Sequence, residues 1–229
     1  MKFARAQFWV RVGTSDSSVV MGTFGGDEYR LQGREISGWA VDLGAHIGVI
    51  AVALLAEHPE VQVIAVEPLP ANIELLQRNL APYGERAHVM AAAGGNGKPI
   101  EIGYAFGGLA DLPDDYKVAN HYIGRSTADI PGRDNAEVVT VPTYNVAGLM
   151  KAHDLDEIAF IKTDCEGGEY PFFADPKANR RVKTIVGEWH DDSGERIRKL
   201  LEPTHKFIRH EPSIPGSTSC TGLFEAIRK

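Results

Sequence analysis

The strongest constraint on this chain is the alternation of short apolar runs with segments of helical periodicity. Trp39–Leu43, Val61–Val66 and Ile158–Ile161 are bounded by turn residues and too short for independent helices. They read as buried strands. Between the first two, Ile47, Ile50, Ala51, Leu54 and Leu55 recur at helical spacing, and after the second Pro70 opens a segment with Ile73, Leu76 and Leu80 on one face. A strand–helix–strand–helix unit of this kind implies a parallel sheet with right-handed crossovers, whose ligand crevice lies beyond the carboxyl ends of the strands. Further strands are expected near His88–Ala92, Val138–Val141 and Lys183–Gly187. Asp192-Ser193-Gly194-Glu195 resembles a capping box, followed by a helical face of Ile197, Leu200 and Leu201. Phe207–Ile208 and Gly222–Ile227 suggest a closing hairpin, with Pro212 and Pro215 in its connection.

The 229 residues suit one domain, 1–229. Within it, 1–37 reads as a β-rich extension, since Phe8, Val10 and Val12 alternate ahead of Gly25-Gly26. Residues 105–136, rich in Gly, Asp and Asn with little periodicity, read as a long substrate-binding loop or lid. The formal charge of −7 arises from dispersed acidic residues, and the basic residues form no long run, so duplex nucleic acid is not an expected partner. No stretch approaches the ~20 apolar residues of a membrane helix. The opening residues are too polar for a signal peptide, and Cys165 and Cys220 show no metal-type pairing. Cytoplasmic residence without membrane association is the expectation, and self-association stays open.

Val41-Asp42-Leu43-Gly44-Ala45-His46-Ile47-Gly48 joins the first strand to its helix, with glycines where a tight turn needs an unhindered backbone. A dinucleotide fingerprint would place a further glycine two positions after Gly44 so that the backbone could approach a pyrophosphate, and this chain has His46 there. A cofactor without phosphates fits better. S-adenosylmethionine is such a cofactor: Gly44 leaves room for its methionine portion, while Asp42 either orders the turn or binds the amino group through water. Glu67, nineteen positions after Gly48, ends the second strand, where a carboxylate can accept from both ribose hydroxyls, and Pro68 ends the strand.

These stretches, together with Phe160-Ile161-Lys162-Thr163-Asp164-Cys165-Glu166-Gly167-Gly168-Glu169, resemble the FkbM family of methyltransferases from about Gly38 to Asp192. The resemblance implies a Rossmann-like class I methyltransferase fold, with a mainly parallel seven-stranded sheet and a C-terminal antiparallel strand. It also implies methyl transfer from S-adenosylmethionine, most often to a hydroxyl on a sugar, polyketide or other small molecule. The cofactor residues are then Asp42, Gly44, Ala45, His46, Gly48, Glu67, Pro68 and Asp164. The chain departs from the family at Ala91-Ala92-Ala93-Gly94-Gly95, where members commonly place a polar or acidic residue for the adenine amine, so backbone groups or Asn96 take that contact.

Asp164, Glu166 and Glu169 cluster after the fourth core strand, where acids raise one another's pKa values and can bind a cation or take a proton. Alternatively, Gly167 and Gly168 form a turn, with Glu166 and Glu169 capping the next helix. Asp164 is expected beside the transferable methyl. Glu188 and His190 share one side of an extended segment; His190 is the expected general base through a pKa near neutrality, with Glu188 orienting it or binding substrate. Glu166, His121, Tyr122 and Arg125 are candidates for acceptor contact. No metal ligands are assigned, although oxygen ligands here would suit magnesium. Other readings are N-methylation, a macromolecular substrate, or a noncatalytic cofactor-binding interaction domain.

Overall fold

The computed structural model describes residues 6–12, 14, 16–106, 121–124, 137–190, 194–212 and 221–229. Ahead of the first strand lie α1 (Asp16–Met21) and a π-helical turn (Gly22–Gly26). Then come β1 (Gly38–Leu43), α2 (Val49–Glu57), β2 (Val61–Glu67), α3 (Pro70–Leu80) and β3 (Ala87–Ala91). The middle of the chain holds β4 (Ala93–Gly94), β5 (Ile100–Phe106), β6 (His121–Gly124), β7 (Glu137–Val141), β8 (Thr143–Tyr144) and α4 (Val146–Ala152). The last third runs through β9 (Ile158–Thr163), α5 (Glu169–Phe172), α6 (Pro176–Asn179) and β10 (Val182–His190). It closes with α7 (Glu195–Leu201), β11 (His205–Pro212) and β12 (Thr221–Arg228).

One seven-stranded sheet has the order β3-β2-β1-β9-β10-β12-β11. The first five strands are parallel, and β12 is antiparallel to both its neighbours. This is the expected α/β fold. Both faces are covered, which explains why the central strands are apolar runs rather than alternating ones. Ala40, Val63, Ala65 and Phe160 pack with α2 and α3 on one face, while Val41, Leu43, Val66 and Ile161 pack with residues of α4 to α7 on the other.

The register fixes where function can sit. Leu43 pairs with both Val66 and Thr163, and Thr163 with Gly187, so these four residues form one row across the sheet. The next residue of each strand is therefore Gly44, Glu67, Asp164 or Glu188, all leaving the carboxyl edge together. Strand order reverses between β1 and β9, the position where open α/β sheets form a crevice.

Three expectations need correction. The extension before Gly38 contains no strand among its described residues, because the backbone N–H and C=O of Trp9 both bond the side chain of Asn79 instead of a neighbouring strand. The strand at Val138–Val141 belongs not to the main sheet but to a three-stranded antiparallel sheet, β6-β5-β7. That sheet buries Ile102 and Val141 against Leu69, with Val139 packed beside them, and leaves Val138 on the opposite face exposed, a one-sided burial that antiparallel strands tolerate. Residues 105–136 are accordingly not all loop, since β5 pairs with β6 from Gly103↔Gly124 to Phe106↔His121. Of the capping box, Asp192 and Ser193 lie outside the described residues; Gly194 is the N-cap, with no side-chain bond.

Gly44 shows how tightly the sheet edge is closed. Its φ is 76°, and a Cβ there would lie 1.8 Å from the carbonyl oxygen of Asp164. Gly44→Ala should therefore cost more than the roughly 1–2 kcal/mol of a left-handed non-glycine residue, because β1 and β9 must also separate. Gly25→Ala, where a Cβ would meet nothing within 4 Å, should stay within about 0.5 kcal/mol of wild type. Urea unfolding of the two variants checks both values.

Candidate active site

A cavity of about 1010 Å³ opens at the carboxyl edge. Its wall includes Gly44, Ala45, His46, Glu67, Pro68, the Ala92–Asn96 stretch, Lys162, Asp164, Glu166 and Glu188. Beneath the turn, Asp42 and Lys162 are register partners on β1 and β9. Both are buried, and Lys162 Nζ lies 3.3 Å from Asp42 Oδ1 while donating to the carbonyl of Gly44 at 2.9 Å. Asp42 Oδ2 accepts from the N–H of Ala51 in the first turn of α2 at 3.0 Å. Burial pushes the Asp42 carboxyl upward, and it disfavours a charged Lys162, but the Asp42 and Asp164 carboxylates outweigh this and hold the lysine above its ordinary value.

Glu67 is set by three donors. Oε1 accepts from Leu69 N at 3.1 Å and Asn72 Nδ2 at 3.0 Å, and Oε2 accepts from His46 N at 2.8 Å. Burial raises its pKa above the usual carboxylate value, and these bonds oppose the rise. His46 adopts a left-handed conformation, φ 52°, which turns its N–H toward Glu67.

The opposite end of the cavity is acidic. Tyr29 donates to Asp164 Oδ2 at 3.4 Å, and Glu28 also lines the wall. His190 Nδ1 lies 3.1 Å from Oε1 of the fully buried Glu169, whose Oε2 accepts from Gly167 N and from the Cys165 thiol. The other ring nitrogen, Nε2, faces three carboxylates: Asp164 at 3.5 Å, Glu188 at 3.7 Å and Glu166 at 3.8 Å. Burial disfavours the imidazolium, but the bond to Glu169 and the charges of Glu166, Glu169 and Asp164 outweigh it, and the pKa stands at about 9. Glu188 is pushed up to about 7, first by burial and then by Asp164 and Glu28. Ligand atoms of Asp164, Glu166 and His190 lie within 4.8 Å of one another, a spacing that a divalent ion could occupy.

The structure brings most of the sequence candidates together: Gly44, Ala45, His46, Glu67, Pro68, Asp164, Glu166 and Glu188 line one cavity, and His190 touches three of its carboxylates. Two differ. Asp42 is not at the wall but orders the turn from below, and Gly48 packs against Leu76, where a Cβ would lie 2.6 Å from Cδ1. The pKa of His190 is above, not near, neutrality, and its Nδ1 partner is Glu169 rather than Glu188. His121 and Tyr122 lie on β6, and Arg125 lies outside the described residues. Sequence reasoning missed Lys162 as a wall residue, together with Glu28, Tyr29 and Asn72. The signal for Lys162 was available: a lysine two residues after Phe160 shares that residue's buried face.

The chain matches the methyltransferase FkbM domain over residues 42–211. A curated relative, methyltransferase sdnD of Sordaria araneosa, is 27% identical over 184 residues, covering 71% of this chain and 71% of that protein. Solved structures with similar folds include a precorrin-6y C5,15-methyltransferase from Geobacter metallireducens, at 14% identity and a TM-score of 0.44, covering 97% of this chain and 93% of that one. The fibrillarin pre-rRNA processing protein of Methanococcus jannaschii shows 12% identity and a TM-score of 0.49, covering 85% and 67%.

The raised pKa of His190 depends on Glu169. In Glu169→Gln the imidazole should titrate about one to three pH units lower, the usual effect of one carboxylate in contact. Nitrogen-15 NMR of the histidine side chains measures this, and an unchanged midpoint would contradict the assigned contact.

Proposed function

The chain belongs to the FkbM methyltransferase domain family, which makes it an S-adenosylmethionine-dependent methyltransferase, and from this premise we propose that it methylates a hydroxyl oxygen of a small molecule such as a sugar or polyketide-type metabolite. The site residues suit the cofactor. A buried carboxylate, Glu67, stands in the wall where a phosphate would be repelled and a ribose welcomed. The acidic end suits a sulphonium cation, and the cavity exceeds the few hundred Å³ that a single small ligand needs.

S-adenosylmethionine supplies, when bound, an electrophilic methyl group on a positively charged sulphur. Glu67, fixed by His46, Leu69 and Asn72, would accept a hydrogen bond from one ribose hydroxyl with the lone pair on Oε2 that its three donors leave free. Main-chain groups of Ala92–Asn96 line the side expected to receive adenine. Asp164, held by Tyr29, would offer its carboxylate to the positive charge of the bound cofactor.

Proton removal falls to Glu188 rather than His190. A base is most effective when its pKa lies near the working pH, which Glu188 at about 7 satisfies. His190, at about 9, stays cationic at neutral pH and stabilises the negative charge that develops on the acceptor oxygen. Glu188 would take the acceptor's hydroxyl proton, while S-adenosylmethionine, when bound, would supply the methyl group and keep the electron pair of the broken sulphur–carbon bond as a neutral thioether. Glu166 and the small sheet complete the acceptor side; in support, Ile100, Glu101 and Ile102 of β5 line the cavity, and His121 and Tyr122 lie on its neighbour β6. Arg125 is assigned to the acceptor from sequence alone.

The observation that carries this reading is the contact between Glu188, on the edge row, and the Nε2 of His190 two residues beyond it, 3.7 Å apart. Under conditions where chemistry limits the rate, kcat/KM should rise with pH through about 7 as Glu188 loses its proton. Glu188→Gln should abolish that limb and lower turnover ~10²–10⁴-fold. His190→Gln should instead move the limb to higher pH, because the imidazolium lowers the Glu188 pKa. A limb near 9 that vanishes in His190→Gln would restore histidine as the base.

Glu67→Gln should weaken S-adenosylmethionine binding by about 1–3 kcal/mol, the range for hydrogen bonds to a charged group. Calorimetry measures it, and an unchanged affinity would remove Glu67 from the ribose site.

A further inference from the structure

The residues before β1 lie outside the matched family region, which begins at residue 42, yet they build part of the cavity wall: Ser18, Val19, Gly22, Thr23, Glu28 and Tyr29 all line it. Arg11 ties this strap to the cofactor side. The Arg11 guanidinium grips the fully buried Asp16 with a fork, Nε to Oδ2 at 2.9 Å and Nη2 to Oδ1 at 2.8 Å. The same Nη2 donates to Asn72 Oδ1 at 2.9 Å and lies 3.2 Å from His46 Nε2. Asn72 and His46 are, in turn, two of the three donors to Glu67.

We propose that Arg11 is a positioning residue for the cofactor: through Asn72 and His46 it fixes the orientation of the Glu67 carboxylate, which makes the strap a working part of the S-adenosylmethionine site. The inference rests on the assignment of Glu67 to the ribose. Three features of the geometry support it. An amide such as Asn72 can rotate to exchange O for N, and the Arg11 donor allows only the orientation in which Nδ2 points at Glu67. A second buried amide, Asn79, lies seven residues on along the same face of α3 and bonds both the N–H and C=O of Trp9, so the strap is held in register next to Arg11. Finally, the guanidinium overcomes the burial of Asp16 and keeps that carboxyl below its ordinary value, so the fork remains charged across the neutral range.

The test compares S-adenosylmethionine affinity by calorimetry in wild type, Glu67→Gln, the charge-neutral double variant Arg11→Gln/Asp16→Asn, and the triple variant. The double variant avoids leaving Asp16 buried without its cation, and its thermal unfolding is recorded alongside. The double variant should bind roughly tenfold more weakly, as expected for misplacing one charged hydrogen-bonding group. Its kcat at saturating cofactor should stay near wild type, a split that general unfolding would not produce. The triple variant should bind no more weakly than the weaker of its two parents, because both changes act through one carboxylate. Additive losses, or an unaltered affinity in the double variant while Glu67→Gln loses affinity, would overturn the role of Arg11 alone. An unaltered Glu67→Gln would overturn the ribose assignment and the inference with it.

Discussion

The buried ion pair between Asp42 and Lys162 is the interaction on which the catalytic edge depends. It joins β1 to β9 at the point where strand order reverses, and its two remaining bonds hold the Gly44 carbonyl and the first turn of α2. Removing either charge alone would strand the other in the sheet interior, typically a loss of about 3–5 kcal/mol. A well-packed apolar pair could stabilise the strands as well. It could not hold the Gly44 carbonyl, and that turn carries the N–H of His46 to Glu67.

From this anchored edge, the two ends of the cavity acquire opposite characters. At the Glu67 end, three donors converge on one carboxylate, so that negative charge is stabilised and held still. At the Glu188 end, several carboxylates crowd one imidazole, so that protons are redistributed. Glu169 decides how this redistribution falls. Buried entirely and bonded to Gly167 and Cys165, it takes the His190 Nδ1 side and turns Nε2 toward the cavity carboxylates. The histidine thereby becomes a second positive charge beside Lys162, while burial and the neighbouring carboxylates raise the pKa of the glutamate two residues before it to about 7.

The architecture was legible because strand periodicity survives in one dimension. Apolar runs at β1, β2 and β9, Pro70 at the start of α3, and the carboxylates that end β2 and follow β9 all express local rules, and register then brings the edge residues together. What sequence could not give was direction and charge context. Nothing in Asp42 reveals that its partner lies 120 residues away, and the elevated pKa of His190 comes from Asp164, Glu166 and Glu169, which follow the neighbouring strand β9. The N-terminal segment was misread for a related reason: Phe8, Val10 and Val12 alternate as in a strand, but Asn79 supplies the hydrogen bonds that a neighbouring strand would have supplied. Strand β6 failed in the opposite direction, since a four-residue strand paired, among the described residues, with β5 alone leaves little mark on composition.

Helix α3 links these arguments. Its outer face is ordinary, with an exposed Glu74–Arg78 pair, whereas its inner face buries Asn72 and Asn79 beside Leu76 and Leu80. Buried amides are costly unless satisfied, and neither is satisfied by the sheet alone. Asn72 spans Arg11 and Glu67, and Asn79 spans the Trp9 backbone and the Ile47 carbonyl. Each therefore connects the N-terminal strap to the β1–α2 turn or to the end of β2. A version of this domain without the strap would keep the bonds of Asn72 to Glu67 and of Asn79 to Ile47 but leave both Oδ1 atoms without their donors, so the polar inner face of α3 is fully satisfied only with the segment before β1 in place.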